Sequence, residues 1–357
     1  MLAGMLGKHP FLIGLDIGSS YLKVLELARV RKGLFLSKIG CVRLNPECIV
    51  EKDIIDSREV SREIRSLFAE IKPSHKEAAI SVSGSKVMTR LFEVPFMPEQ
   101  DIPSYIKENF ASAFPFKLDD VYLDFAALRL NERGLAQVEI SAAVAKRELV
   151  DEYVRVVELA GLKVRTVDLD ALALYNAFQH SQGPDFDRNA IVVHTGHSRT
   201  LVVVADKEGP LSVQDFPLGG KGLIERIQLA TGTGPNEAAD MLEAPGPPAE
   251  QAQDALEAFL GELFEALGFT LGREGFRLTD PGTPLYLSGG LACLASFREA
   301  FQRRTPARIF VLNPFARVGI QKDKFDLGGL RERAPLFSVA FGLALHETKE
   351  VFEKVRQ

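Results

Sequence analysis

Runs of apolar residues change period along the chain, and each change marks an element. Residues 11–17, apolar but for Gly14 and Asp16, read as a buried strand, a Gly-Ser turn follows, and 21–27 reads as a second strand. A third strand fits 34–44. Over 57–71 the residues Val60, Ile64, Leu67, Phe68 and Ile71 recur at helical spacing, and Pro73 stops the helix. Strands are predicted at 78–83 and 87–94. A break at 95–98 precedes a predicted helix over 99–113, with Ile102, Ile106, Phe110 and Ala113 on one stripe. Strands at 121–130 and 136–145 flank a turn at 131–134. A helix over 147–160 ends at Gly161, a natural position for a left-handed cap. The strand 163–168 and the helix 170–180 close this half, and the polar stretch 181–188 reads as a linker.

The second half restarts the same pattern. Strands fit 190–194 and 199–205 around a turn at 195–198. Placing Gly18 on Gly196 also aligns Ser20 with Ser198 and Val24 with Val202, an offset of 178 residues. Three identities are few, but the shared order of strand, Gly-x-Ser turn and strand points to a duplication. Helices are predicted at 223–230, 237–242 and 250–267, interrupted by the run APGPPA at 244–249. A short buried strand at 285–288 leads into Gly289-Gly290. A helix follows at 296–303, and Pro335 opens an apolar helix at 337–345 that contains Gly342.

Composition narrows the functional classes. The 357 residues carry 46% hydrophobic and 25% charged positions, which suits two or three folded domains and excludes a disordered chain. The net charge of −5 argues against a nucleic-acid binder, as do the absence of Trp and the 8% aromatic content. The pair Arg303-Arg304 with Arg308 is too small a basic patch to change this. Cys41, Cys48 and Cys293 lack paired metal spacing and read as reduced thiols. His9, His75, His180, His197 and His346 show no metal spacing either. No stretch approaches the roughly 18–20 apolar residues of a membrane span. The first nine residues read as a frayed tail, not a signal peptide.

Three motifs carry candidate chemistry. In IGLDIGSSYLKVLEL (13–27), Asp16 sits at the end of a buried strand beside Gly18, Ser19 and Ser20. A carboxylate there is costly unless it meets a cation or donors, and the turn's N–H groups can cradle an anion. One carboxylate suits a hydrated Mg²⁺, which takes few protein ligands. The bland alternative is a hairpin turn with a solvated Asp, and Lys23 reads equally as a phosphate contact or a solvated strand residue. In the duplicate, VVHTGHSRTLVVV (192–204), Gly196 and Ser198 are kept but His194 stands where Asp16 stood. Facing hairpins of this kind can clamp a polyphosphate. In LYLSGGLA (285–292), Gly289 and Gly290 let the backbone approach a flat ligand.

Taken in order, these segments resemble the actin-like ATPase superfamily. Residues 14–23 resemble its first phosphate loop, 167–176 (VDLDALALYN) its first connecting helix and 193–200 its second phosphate loop. Residues 285–292 resemble its adenosine loop and 335–345 (PLFSVAFGLAL) its second connecting helix. Within it, residues 89–125 and 142–174 resemble the PilM family of type IV pilus assembly, with Asp120, Val121 and Asp124 on one shared pattern. The resemblance implies an α/β actin-like ATPase fold of two duplicated RNase H-like domains with inserted small subdomains. The first domain would take 1–85 and 162–188, with an inserted subdomain at 86–161, placed as in PilM and the division protein FtsA. The second would take 189–236 and 284–357, with a small helical subdomain at 237–283.

It also implies ATP and Mg²⁺ as cofactors. The nucleotide-binding set would be Asp16, Gly18, Ser19, Ser20, Lys23, Gly196, Ser198, Gly220, Gly289 and Gly290, with Asp16 holding Mg²⁺ through water. No residue is assigned to catalysis. Two departures bear on this. His194 replaces the second-loop Asp that helps order Mg²⁺ and water in hydrolysing relatives, which predicts weak or absent hydrolysis. In NEAADMLEA (236–244), Asp240 stands for the family's acid and Glu243 sits where Lys is expected. The implied partner is the N-terminal peptide of a PilN-like inner-membrane protein, with other pilus platform proteins and the assembly ATPase as further candidates. The expected location is cytoplasmic, peripheral at the inner membrane through partners. The alternatives are a small-molecule kinase of the same superfamily, which His194 argues against, and a cytoplasmic platform like GspL of type II secretion. An FtsA-like membrane polymer ranks lower, because the tail 347–357 is short and charged.

Overall fold

The computed structural model describes residues 11–30, 33–130, 137–184, 186–206, 209–243, 249–273 and 275–347. The expected turn at 131–134, most of the break at 244–249, the first nine residues and the tail from 348 lie outside them.

The chain opens with three antiparallel strands, β1 (Ile13–Ile17), β2 (Tyr21–Val30) and β3 (Gly33–Arg43). A two-residue hairpin arm follows, β4 (Ile49–Val50) and β5 (Asp53–Ile54), then α1 (Ser57–Ile71), capped by the Asp56 carboxylate on the Arg58 and Glu59 N–H groups. After β6 (Glu77–Val82) come β7 (Val87–Pro95), α2 (Ile102–Asn109), β8 (Val121–Leu130) and β9 (Gln137–Lys146). The helix α3 (Arg147–Leu159), β10 (Lys163–Leu169) and α4 (Asp170–Gln182) complete the half.

The second half holds β11 (Ala190–Thr195), β12 (Thr200–Ala205), β13 (Pro210–Phe216), α5 (Gly220–Thr231), α6 (Pro235–Glu243) and α7 (Glu250–Arg273). It ends with β14 (Leu285–Ser288), α8 (Ala295–Arg303), β15 (Ile309–Val311), α9 (Leu327–Arg333) and α10 (Ser338–Ala344).

The two large sheets repeat one topology. Their orders are β10-β6-β1-β2-β3 and β13-β12-β11-β14-β15, each with two antiparallel and two parallel pairings at matching places. Both faces of each sheet are covered, which is why the central strands β1 and β11 are apolar up to Asp16 and His194 near their ends. On one face of the first sheet, Ile13, Leu15 and Val24 pack with Val60 and Ile64 of α1 and Val156 of α3. On the corresponding face of the second, Ile191, Val193 and Val202 pack with Phe259 and Leu263 of α7 and Phe301 of α8.

The helices α4 and α10 lie between the sheets. Leu174 and Phe178 of α4 share a core with Val192 and Val203 of the second sheet and Leu343 of α10. Their approach depends on small residues. A Cβ on Gly342 would sit 1.7 Å from the Ala173 carbonyl oxygen, and one on Gly14 of β1 would sit 2.0 Å from that of Ala340. Backbone occupies both positions, so only glycine fits.

The strands β7, β9 and β8 form a separate antiparallel sheet with its own core, including Val94, Ile102, Ile106, Val121 and Ile140. The helix expected over 99–113 is α2 flanked by two single 3₁₀ turns, and it ends at Phe110. That ring packs on Phe92 at a tilt of 30°, with centroids 4.3 Å apart. The β4–β5 arm, β13, β15 and α9 were not anticipated from the apolar pattern.

Candidate functional site

Each large sheet presents its first hairpin to a common cleft, and the two turns are built alike. The Gly18 N–H donates to the Tyr21 carbonyl at 3.1 Å, and the Gly196 N–H donates to the Arg199 carbonyl at 2.9 Å. The same 178-residue offset relates both bonds. The Ser19 and Ser198 hydroxyls meet across the cleft at 3.1 Å.

The hairpins differ in what flanks the turn. In the first, Asp16 pairs in register with Lys23, their ion pair is 2.7 Å long, and they are 4% and 7% exposed. Neither is the solvated residue that a bare hairpin would allow. In the second, the corresponding pair is His194 and Leu201. The His194 Nδ1 lies 3.0 Å from the Ser288 hydroxyl. Burial, reinforced by the nearby Lys23, pushes this imidazole down to about 3, so it is neutral at neutral pH.

The glycine turn after β14 closes another wall. Gly289 has φ +87°, and a Cβ there would lie 2.3 Å from the Thr195 carbonyl oxygen. Gly290 has no atom within 4 Å of its Cβ position, leaving an open face for a flat ligand. The Ser288 hydroxyl bonds to the Pro335 carbonyl and the Ser338 hydroxyl, tying this turn to the start of α10. Gly220 begins α5, and its N–H donates to the Gly196 carbonyl at 2.9 Å, which fixes the second turn from behind. The N-terminus of α5 therefore adds a positive dipole end to the cleft.

The cleft encloses about 610 Å³, and all ten sequence-predicted residues line it: Asp16, Gly18, Ser19, Ser20, Lys23, Gly196, Ser198, Gly220, Gly289 and Gly290. That volume lies in the roughly 300–1,000 Å³ range of small-molecule sites. Apolar side chains Ile224, Leu242, Leu294 and Leu336 cluster among its walls. On α6, Glu243 lines the cleft whereas Asp240 is not among the lining residues.

The structure adds residues that sequence reasoning missed. Lys52, Ser83, Asp170, Arg199 and Asp215 also line the cleft. Asp170 opens α4 and receives the Lys52 ammonium at 2.8 Å and the Ser81 and Ser83 hydroxyls at 2.6 Å each. Burial alone would raise its carboxyl, but Lys52 and the two serines outweigh that and hold it well below the usual range. Burial likewise opposes the charge on Lys52, and Asp170 overrides it, so both groups stay ionised. Asp215 on β13 accepts from Arg199 Nε at 2.6 Å and from the Gly84 N–H at 2.9 Å. Burial still leaves its carboxyl above the ordinary value. The only local signal was Asp170, an acidic residue at the first turn of a helix that otherwise reads as core.

Among the described residues, no cluster of three or more His, Cys, Asp or Glu is arranged to hold a metal. A cation cage made of protein alone is therefore absent there. The acidic group beside the first turn is Asp16, whose Oδ2 is paired with Lys23 at 2.7 Å. No helix among the described residues is long and apolar enough to cross a membrane.

Known proteins agree with this architecture. A family described as type IV pilus assembly protein PilM matches residues 14–348. A protein of a PilM–PilN type IV pilus biogenesis complex superposes with a TM-score of 0.82 at 26% identity, covering 94% of this chain and 97% of that one. The ethanolamine utilization protein EutJ from Carboxydothermus hydrogenoformans superposes at 0.60 with 14% identity, covering 96% and 91% of the chains. MreB5 of Spiroplasma citri, solved with AMPPNP, superposes at 0.53 with 10% identity, covering 94% and 95%. These likenesses establish the actin-like ATPase fold, and the family match settles the placement within it: the chain belongs to the PilM family of type IV pilus assembly proteins.

Proposed function

We propose that the protein is a nucleotide-operated platform subunit of the pilus machine: it binds Mg-ATP in the cleft, hydrolyses it slowly or not at all, and captures the N-terminal peptide of a PilN-like membrane protein. The observation that carries the nucleotide reading is the facing pair of Gly-x-Ser turns, with the Ser19 and Ser198 hydroxyls 3.1 Å apart and the buried Asp16–Lys23 pair beside the first turn. Gly18, Ser19, Ser20, Gly196 and Ser198 would cradle phosphates, Lys23 would reach one, and Gly220 would hold the second turn in place. Gly289 and Gly290 would border the base. Asp16 would hold Mg²⁺ through water, and the ion would neutralise phosphate charge. A neutral imidazole at His194 offers no anionic oxygen to a metal or an attacking water, which supports slow turnover. The same imidazole weighs against a kinase, which needs a carboxylate base at that place.

The partner reading rests on family membership and on the likeness to the PilM–PilN complex protein. It makes the chain peripheral at the inner membrane, on its cytoplasmic side. We assign residues 1–85 with 162–188, and 189–236 with 284–357, to the two duplicated domains. Residues 86–161 and 237–283 are their inserted subdomains.

Calorimetric titration with Mg-ATP, a phosphate-release assay and capture by an immobilised PilN-like N-terminal peptide test this together. Saturable ATP binding, turnover far below the 1–10³ s⁻¹ of typical enzymes and peptide capture are expected. Turnover of a small-molecule acceptor in that range, or no ATP binding, would overturn it.

A further inference from the structure

Two adjacent non-glycine residues have left-handed backbone, Glu51 with φ 51° and Lys52 with φ 73°. They are the central pair of the β4–β5 hairpin, whose flanking residues Val50 and Asp53 face each other. A two-residue turn with positive φ at both centres normally uses Asn and Gly, because a Cβ there is strained. The other non-glycine residue of this kind among the described residues, Lys72, is the cap of α1, an ordinary place for it. Strain held in place by surrounding contacts points to a function for the strained residues.

The contacts of this turn run in four directions. Glu51 accepts from Arg199 of the second hairpin at 3.2 Å. Lys52 Nζ reaches Asp170 at the start of α4, inside the cleft. The Lys52 carbonyl accepts from the Tyr153 hydroxyl of α3 at 2.9 Å. Asp53 accepts from Lys86, one residue before β7, at 2.9 Å. The β7-β9-β8 sheet is joined to the rest of the chain through Lys86 on one side and α3 on the other. A single strained turn therefore touches the cleft, the opposite half and both connections of the inserted sheet.

We propose that the 50–53 turn is a relay, in which Lys52 exchanges Asp170 for the terminal phosphate of a nucleoside triphosphate and the turn passes this shift to α3 and Lys86. This rests on the nucleotide-binding reading of the cleft. Asp170 and a polyphosphate compete for one ammonium, and a turn held only by its contacts relaxes when one of them is withdrawn. The inserted sheet is then reoriented by cleft occupancy through these two hydrogen bonds, beside the Gly84 N–H bond to Asp215 that anchors the same connection.

Amide hydrogen exchange on the full chain, with and without Mg-AMPPNP, tests the relay. In the wild type, exchange should change on binding in segments 84–90 and 147–156. Lys52→Met should weaken Mg-AMPPNP by about tenfold or more, the scale of one lost bond to a charged group. Should that variant fail to fold with Asp170 unpaired, Lys52→Met with Asp170→Asn removes both charges and carries the same expectation. Tyr153→Phe and Lys86→Met should bind Mg-AMPPNP like the wild type; Tyr153→Phe should lose the exchange response in 147–156, and Lys86→Met, which also gives up its 3.2 Å pair with Glu148 of α3, should lose it in 84–90. Binding without any response in the two segments overturns the relay and leaves the nucleotide reading standing. A wild type that does not bind Mg-AMPPNP overturns both.

Discussion

The two cleft hairpins share a backbone and differ in charge. Their turns carry equivalent hydrogen bonds, Gly18 to Tyr21 and Gly196 to Arg199, and their serines touch. At one cross-strand position the first hairpin has Asp16 opposite Lys23, and the second has His194 opposite Leu201. The exchange is concerted. A lysine facing a neutral imidazole in a buried strand pair would be an uncompensated charge, so losing the acid goes with losing the base. Duplication preserved the cradle, whereas an ion pair across the two hairpin strands stands in the first copy alone; the second copy pairs Arg199 with Asp215 of β13 instead.

The largest effect should come from breaking that pair. Asp16→His and Lys23→Leu each leave one buried charge unpaired, and each should lower unfolding stability by about 3–5 kcal/mol. The double variant Asp16→His with Lys23→Leu rebuilds the second hairpin in the first. Urea melts should show it more stable than the sum of the single losses predicts, by at least about 1 kcal/mol of coupling. Calorimetry on the same variant should show Mg-AMPPNP binding lost. Additive losses would mean the pair is not the unit of exchange, and retained binding would mean the acid is not needed by the ligand.

The comparison also explains what was legible in the sequence. Turn glycines, serines and an acid at the end of an apolar strand are local signals, and the duplication could be read from them. The cleft brings together the residues chosen that way, and with them Lys23 and Gly220, which the family resemblance added. Lys52, Asp170, Arg199 and Asp215 come from four separate places in the chain, and only the tertiary fold makes them neighbours. Glu51-Lys52-Asp53 looks like a solvated hairpin tip, yet its lysine is paired inside the cleft. The strand β13, which carries Asp215, is half-buried and starts at a proline, so its apolar content falls below that of its neighbours. In the inserted sheet the helical stripe held for Ile102 and Ile106, but the helix ends before Phe110, whose ring packs at a tilt on Phe92.

His194 gives the next effect, read through pH. Its folded-state value near 3 lies below the roughly 6.5 of an unfolded histidine. Between those values the unfolded chain takes up a proton that the folded chain refuses. Stability therefore falls as pH drops below about 6.5, by up to about 1.4 kcal/mol per unit from this residue. Asp170 acts in the same direction at lower pH: its depressed carboxyl contributes stability above the unfolded value, and that is lost on further acidification. His194→Gln should flatten the stability profile between pH 6.5 and 4.5 and leave the steeper acid limb of Asp170. Thermal melts across that range check it, and an unchanged slope would mean that His194 is protonated in the folded state.

The smallest expected effect decides whether both turns hold the ligand, through two serines that touch but are not equivalent, since the 178-residue offset puts Ser198 on Ser20. The Ser19–Ser198 bond joins two neutral hydroxyls, and such a bond contributes about 0.5–1.5 kcal/mol net. Ser19→Ala and Ser198→Ala leave the surviving hydroxyl within reach of water, so each should shift the urea midpoint by no more than about 1 kcal/mol. If both turns hold phosphate oxygens, each variant should also weaken Mg-AMPPNP by about three- to tenfold, one neutral hydrogen bond apiece. The unequal hairpins suggest how this can fail. Should Ser19→Ala lower affinity while Ser198→Ala leaves it unchanged, the second turn would close over the ligand without holding it, and its loss of the acidic residue would follow from that lesser role.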